Sequence, residues 1–290
     1  MLKKAIVFGI GISLAISLFA ESAVDFKTAM GLYNQGKYRE AQEMFVKVAD
    51  AASTPQAKAD CLFYAAFSLN GQKKYDEAVE MAKKIEIKPV SIICQMSIMG
   101  WNGKFNEFME AFKDEDINAW PESYRGEGFF RRGYTYNKLK NTDAAVKDLE
   151  KSAEYYSDER AKMNSLSTLA IIYESIKDDQ KALDTYQKIQ SLISIKGTPA
   201  YNNAIISRAS ILKRQGKFDE ALIDLQKIDT VKLAGDMKFL TLKAFGEIYE
   251  AQGKNSEAVA KYKEAVAVKE NVPPAYVEAL EKKISSMSDK

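Results

Sequence analysis

The chain has 290 residues, 46% apolar and 28% charged, the balance of a folded protein rather than a disordered one. It contains no histidine, which excludes His-based acid–base catalysis, Ser-His-Asp triads and His-ligated metals. Its 42 basic and 40 acidic residues nearly cancel, and 15 glycines with 6 prolines are too few for an all-β chain full of tight turns.

Residues 1–22 read as a secretory signal peptide. Lys3 and Lys4 form the positive start, Ala5 to Phe19 the apolar run, and cleavage fits after Ala20 or Ser22. The run is short for a membrane span, which needs about 20 apolar residues. The alternative is an uncleaved anchor, the only route by which a membrane would be a partner. No cysteine follows the run, which argues against a lipoprotein. The expected location is therefore periplasmic or secreted. From Glu21 onward basic and acidic residues balance, so there is no electrostatic case for nucleic acid.

Beyond the leader the chain repeats itself over 23–288. Helix pairs are expected at 24–35 with 38–52, 57–70 with 75–86, 89–100 with 105–113, and 122–139 with 142–156. They continue at 159–176 with 179–194, 199–215 with 218–229, and 233–252 with 255–269, and a capping helix follows at 273–287. KDEDINAWPESYRGEG, after the short third pair, is expected to be the longest irregular stretch. In each second helix a small residue recurs: Ala41, Ala78, Ala145, Ala182, Ala221 and Ala258, with Phe108 in the third copy. Six of the seven first helices carry another: Ala29, Ala66, Gly133, Ala170, Ala209 and Gly246. Small residues on both helices predict a close crossing, with large residues one turn away filling the space beside it. One pair cannot bury both apolar faces, so neighbouring pairs must stack.

Leu242-x2-Phe245-Gly246-x2-Tyr249, followed by Ala258-x3-Tyr262, resembles the tetratricopeptide repeat (TPR) signature. The resemblance covers residues 24–288 with seven copies. It implies an all-α, right-handed superhelical solenoid of about seven pairs plus the C-terminal cap. The usual period is about 34 residues, whereas most intervals here are 37, so longer helices or loops are expected. The prolines Pro55, Pro89, Pro121, Pro199 and Pro273 fall at or near helix starts, where proline is tolerated.

In the family the first helix of each pair lines a concave groove that takes peptides. Carried over, those positions are Phe26, Met30, Tyr33, Phe63, Phe67, Asn70, Ile93, Ser97, Trp101, Phe130, Tyr134 and Asn137 in the first four pairs. Later pairs supply Ser167, Ile171, Glu174, Ile206, Ser210, Lys213, Lys243, Glu247 and Glu250. The Lys/Asn/Arg clamp some relatives use for a C-terminal carboxylate is missing there. The aromatic N-terminal half suits an apolar or aromatic extended peptide, with Asn70 and Asn137 bonding its backbone.

No phosphate loop, dinucleotide fingerprint or nucleophile elbow occurs, so no catalytic residue, cofactor or metal is expected. Asp114, Glu115 and Asp116 lack the glycine and distal Glu of a calcium loop and read as a solvated acidic loop. Arg131 and Arg132 would bind an anion, form a solvated edge or pair with Glu127. Cys61 and Cys94 read as small buried hydrophobes, with a disulfide as the alternative. PVSIICQMSIMGWNGKF, residues 89–105, carries no charge before Lys104. Its helix is apolar nearly all round, so either the 113–127 loop covers it or it offers a patch to a partner.

The expected function is a non-enzymatic protein–protein interaction scaffold of the cell envelope, binding a protein or extended peptide in the groove. The alternatives are an inner-membrane-anchored assembly factor and a glycan-binding repeat protein.

Overall fold

The computed structural model describes residues 20–268 and 270–288, in which every regular element is helical. The expected leader, residues 1–22, lies outside the described residues except for positions 20–22, which begin the first helix. The pairs are α1 (Ala20–Asn34) with α2 (Tyr38–Asp50), α3 (Pro55–Gly71) with α4 (Tyr75–Lys83), and α5 (Lys88–Trp101) with α6 (Phe105–Phe112). Next come α7 (Glu122–Lys138) with α8 (Thr142–Tyr155) and α9 (Glu159–Ser175) with α10 (Asp179–Gln190). The series ends with α11 (Pro199–Arg214) and α12 (Phe218–Gln226), α13 (Gly235–Ala251) and α14 (Asn255–Val266), and the single helix α15 (Pro274–Ser288). Thr54 and Thr198 accept hydrogen bonds from the backbone of Ala57 and Tyr201, and Pro55 and Pro199 open the helices so capped.

The turn inside each pair is one motif used seven times. One residue has positive φ: Gly36, Lys73, Gly103, Lys140, Lys177, Gly216 and Gly253. The following N–H reaches back to a carbonyl three residues before the helix cap, as from Lys37 to Leu32 at 3.0 Å and Lys254 to Tyr249 at 2.9 Å. This is a Schellman C-cap, which leaves the second helix antiparallel to the first. Three copies place lysine where glycine is favoured, so the left-handed backbone there carries a local penalty.

The packing refines the expected crossing. Ala41, Ala78, Ala145, Ala182, Ala221 and Ala258 are all fully buried. The glycines of the first helices, however, meet the bulky residue one turn beyond that alanine. A Cβ on Gly133 would lie 2.9 Å from Leu149 Cγ and 3.1 Å from its backbone N. On Gly246 it would lie 2.4 Å from Tyr262 Cε1, inside van der Waals contact. Glycine therefore makes room for a large partner.

Contacts divide the chain between Ser165 and Leu166, within α9, into two compact units. In the first unit one core runs through Phe26, Phe45, Ala66, Cys94, Phe108 and Phe129. In the second, Phe239, Leu242 and Tyr262 pack with Leu280 of α15, and Val277 and Ile284 lie against that cluster. The short third pair is visible in α6, which has 8 residues.

The uncharged run of α5 after Lys88 is enclosed. Every residue from Pro89 to Met99 is buried, including Ile92, Gln95 and Met99. Its neighbours are α3, α4, α6 and α7. The sequence offered the following loop as its cover; the structure puts α7 against it and folds the loop onto α7. Within the 113–128 stretch Ile117–Ala119 forms a 3-10 turn, and α7 begins at Glu122, where its helix was expected, so the stretch is helical from there on. Its anchors are specific. A Cβ on Gly128 would lie 2.5 Å from the Trp120 ring, so this glycine admits it. Trp120 Nε1 donates to Glu115 at 2.9 Å, and Arg132 Nη1 donates to the Glu115 carbonyl at 3.0 Å.

Candidate functional site

The first helices present their carried-over positions unevenly. Phe26 and Tyr33 are buried and pack edge-on against Tyr64 at 5.9 and 6.2 Å. Phe63, Phe67 and Phe130 are buried too, as are Ile93 and Ser97. Most of the expected groove rings thus pack between helices, because the close crossings leave little uncovered area. Met30, Asn70, Tyr134 and Asn137 are half-buried, and Trp101 is 42% exposed.

Trp101 is the centre of the accessible part. Phe63 and Phe67 stack at 4.7 Å, and the Phe67 ring meets Trp101 edge-on at 5.1 Å across the α3–α5 seam. One turn along, Asn102 Nδ2 donates to Asn70 Oδ1 at 2.7 Å and to the Ile98 carbonyl at 2.8 Å. On α7, Lys138 lies over the Tyr134 ring at 5.0 Å. Sequence reasoning missed Asn102 because it falls in the turn; the asparagine just before the positive-φ glycine was the available signal.

In the second unit Ile171 is exposed, and the charged positions carried over are all paired. Glu247 accepts from Lys213 at 2.7 Å and also pairs with Lys243. Burial alone would raise the Glu247 pKa, but the two ammonium groups bring it below the usual carboxylate value. Glu250 accepts from Tyr262 at 2.6 Å and pairs with Lys283 of α15 at 2.6 Å. Glu174 likewise accepts from Tyr186 at 2.5 Å. Burial, reinforced by these carboxylate bonds, pushes both tyrosines well above their ordinary pKa.

Two segments of the sequence, residues 126–159 and 241–274, match the tetratricopeptide repeat family. The chain contains tetratricopeptide repeats. No curated protein matches the sequence. Solved structures share the fold at low identity. The C-terminal part of a TPR repeat-containing protein from Cytophaga hutchinsonii is 17% identical, over 84% of this chain and 95% of that one, with TM-score 0.56. The Cut9–Hcn1 hetero-tetramer of the APC/C matches at 14% identity, over 90% of this chain and 48% of that one, with TM-score 0.51. A tetratricopeptide repeat protein from Parabacteroides merdae is 15% identical, over 91% and 98%, with TM-score 0.44.

Within this TPR protein the remaining polar candidates have structural partners. Arg131 pairs with Glu127 at 2.5 Å, and Arg132 holds the buried Asp148 through two nitrogens at 2.6 and 3.1 Å. Neither guanidinium is left for an anion. Arg208 and Asp224 repeat the second pair in the sixth TPR. In the acidic loop, Glu115 is tied to Lys88 at 2.9 Å and to Trp120, rather than being freely solvated. Cys61 and Cys94 are unbridged and buried. Burial, then the nearby Asp60, pushes the Cys61 thiol up to about 12, and burial raises Cys94 well above its ordinary value. Burial thus favours the neutral thiol at both positions, and no bridge joins them in this structure.

Proposed function

We propose that this TPR protein is a non-enzymatic scaffold of the cell envelope that binds a partner protein through an extended segment. The observation that supports the site is the accessible seam in the first unit: Trp101, exposed at the end of an otherwise enclosed helix, beside Asn70, with Tyr134 and Asn137 on the adjoining first helix. An exposed tryptophan at such a seam has the apolar area and rigidity of an interface anchor. Tetratricopeptide repeats occur in assemblies of several chains, and the Cut9–Hcn1 hetero-tetramer among the structural neighbours is one. The envelope location rests on the leader of residues 1–22.

The test is site-specific photo-crosslinking in intact cells from positions 101 and 134, with Arg39 as an exposed control position. One protein captured from both seam positions and not from Arg39 is the expected result. Capture of the same proteins from all three would refute the site. N-terminal sequencing of the mature chain separates a cleaved leader from the anchored alternative.

A further inference from the structure

Three linkers of the second unit lie side by side along one edge. They are residues 191–198 before α11, 227–234 before α13, and 270–273 before α15. Lys227 Nζ donates to Gln190 Oε1 at 2.8 Å, which sets the start of the second linker beside the start of the first. A Cβ on Gly235 would lie 3.1 Å from the Glu270 carbonyl oxygen, so the end of the second linker meets the third. Buried residues pin all three: Leu192 and Ile195, then Ile228, then Val272. Their tips are left out. Ile193 is 82% exposed and Val231 88%, and Tyr276 in the first turn of α15 is 61% exposed. Such exposure is not a habit of the repeat. In the first unit the corresponding linkers bury Ile85, Ile117 and Trp120 and half-bury Ile87 and Tyr156.

Charge is distributed unevenly along the same edge. The first linker holds Lys196 and no acidic residue, and Lys188 stands in the last turn of α10 just before it. Neither lysine has an acidic partner among the described residues. Lys232, next to Val231, reaches only Asp229, in an exposed pair of small worth. The exposed acids Asp236, Glu270 and Glu278 gather towards Tyr276, so the positive end is the one that carries Ile193.

We propose that this edge rests on a lipid surface containing anionic lipids. Ile193 and Val231 enter the upper acyl region, Tyr276 sits at headgroup level, and Lys188 and Lys196 meet lipid phosphates. A stable protein interface buries about 800 Å² on each side, around an apolar centre in which lysine is depleted. This edge instead offers single aliphatic tips separated by Ser194, Lys196 and Thr230. A fluid lipid surface needs no continuous patch, because acyl chains close around each tip while lysine stems reach up to the headgroups. Among the described residues no helix is long and apolar enough to cross a membrane, so the contact is peripheral. The sequence offered only the leader as a route to a membrane; the exposed tips are a second route.

The test uses the full chain carrying one environment-sensitive fluorophore, attached through Ile193→Cys, Val231→Cys or Ile223→Cys in turn. Cys61 and Cys94 are buried and stay unlabelled in the native protein. Ile223, 59% exposed within α12 rather than in a linker, is the control. Vesicles are phosphatidylcholine alone or with about one third phosphatidylglycerol, with brominated acyl chains as the quencher. Labels at 193 and 231 are expected to shift to the blue and to be quenched on the anionic vesicles, while the label at 223 stays in water. Lys188→Gln with Lys196→Gln is expected to raise the lipid concentration at half-maximal signal about tenfold. Labels at 193 and 231 that remain in water overturn the proposal. So does an unchanged signal in the lysine variant or on phosphatidylcholine alone. Equal quenching at 223 also overturns it, because the contact would then lie elsewhere, as in the leader. Crosslinking of one protein from 193 and 231 in intact cells, with both labels unquenched on vesicles, overturns it in favour of a protein surface. None of these residues belongs to the Trp101 seam, so failure here leaves the scaffold reading intact.

Discussion

Replacing Gly246 by alanine tests whether close approach, rather than helix propensity, governs this fold. In a helix interior the change should by itself stabilise by about 1 kcal/mol. Gly31 of α1 shows that baseline, because a Cβ there has nothing within 4 Å. At Gly246 the new Cβ lies 2.4 Å from Tyr262 Cε1 and 2.5 Å from Cδ1, where about 3.5 Å or more is comfortable. The ring must move by about 1 Å, yet Tyr262 is fully buried and its hydroxyl is fixed on Glu250 at 2.6 Å. Overpacking of this kind costs about 1–3 kcal/mol. Since the propensity gain is common to both sites, Gly246→Ala should leave the protein about 1–3 kcal/mol less stable than Gly31→Ala does. Urea unfolding followed by circular dichroism measures both, with global fits that allow the two units to unfold separately. In a Tyr262→Ala background the penalty should vanish, because the clashing ring is gone. If Gly246→Ala stabilises as much as Gly31→Ala, the close-approach account of these pairs is wrong.

Other outcomes follow from the same geometry. Lys73→Gly, Lys140→Gly and Lys177→Gly should each stabilise by about 0.5–1 kcal/mol in urea melts, because each lysine holds a positive φ that glycine adopts freely; unchanged midpoints would show that the turns carry no strain. Phe67→Ala should cost about 3–5 kcal/mol of stability because Phe67 is buried in the stack. Trp101→Ala should cost far less and act on partner binding, so equal thermal shifts would contradict their different burial. Glu247 has a folded pKa below the ordinary 4.5. Its ion pairs therefore stabilise fully above pH 4.5, and that contribution is lost as pH falls through the lowered value. The stability gap between wild type and Glu247→Gln should shrink on acidification from neutral pH; a constant gap would refute the linkage.

The sequence by itself determined the elements and their order. The spacing of small and bulky residues is a local record of helix periodicity, and the turns that end each first helix are capped by bonds a few residues apart. Hence the helix pairs and the proline positions were legible from residues alone. The prolines open helices because an N-terminal N–H has no helical acceptor to lose. Tertiary structure alone decided which faces are covered. The apolar composition of α5 said that it was unusual, but only the placement of α7 made it enclosed rather than exposed. Phe26, Phe63, Phe67 and Phe130 occupy groove positions by register, yet ring packing between neighbouring helices buries them and leaves Trp101 as the accessible ring. The Asn70–Asn102 pair joins a helix to the turn of the next pair, and the Arg132–Asp148 pair joins two helices, 32 and 16 positions apart. Periodicity fixes where a side chain points on its own helix. It does not say what the next helix brings to meet it.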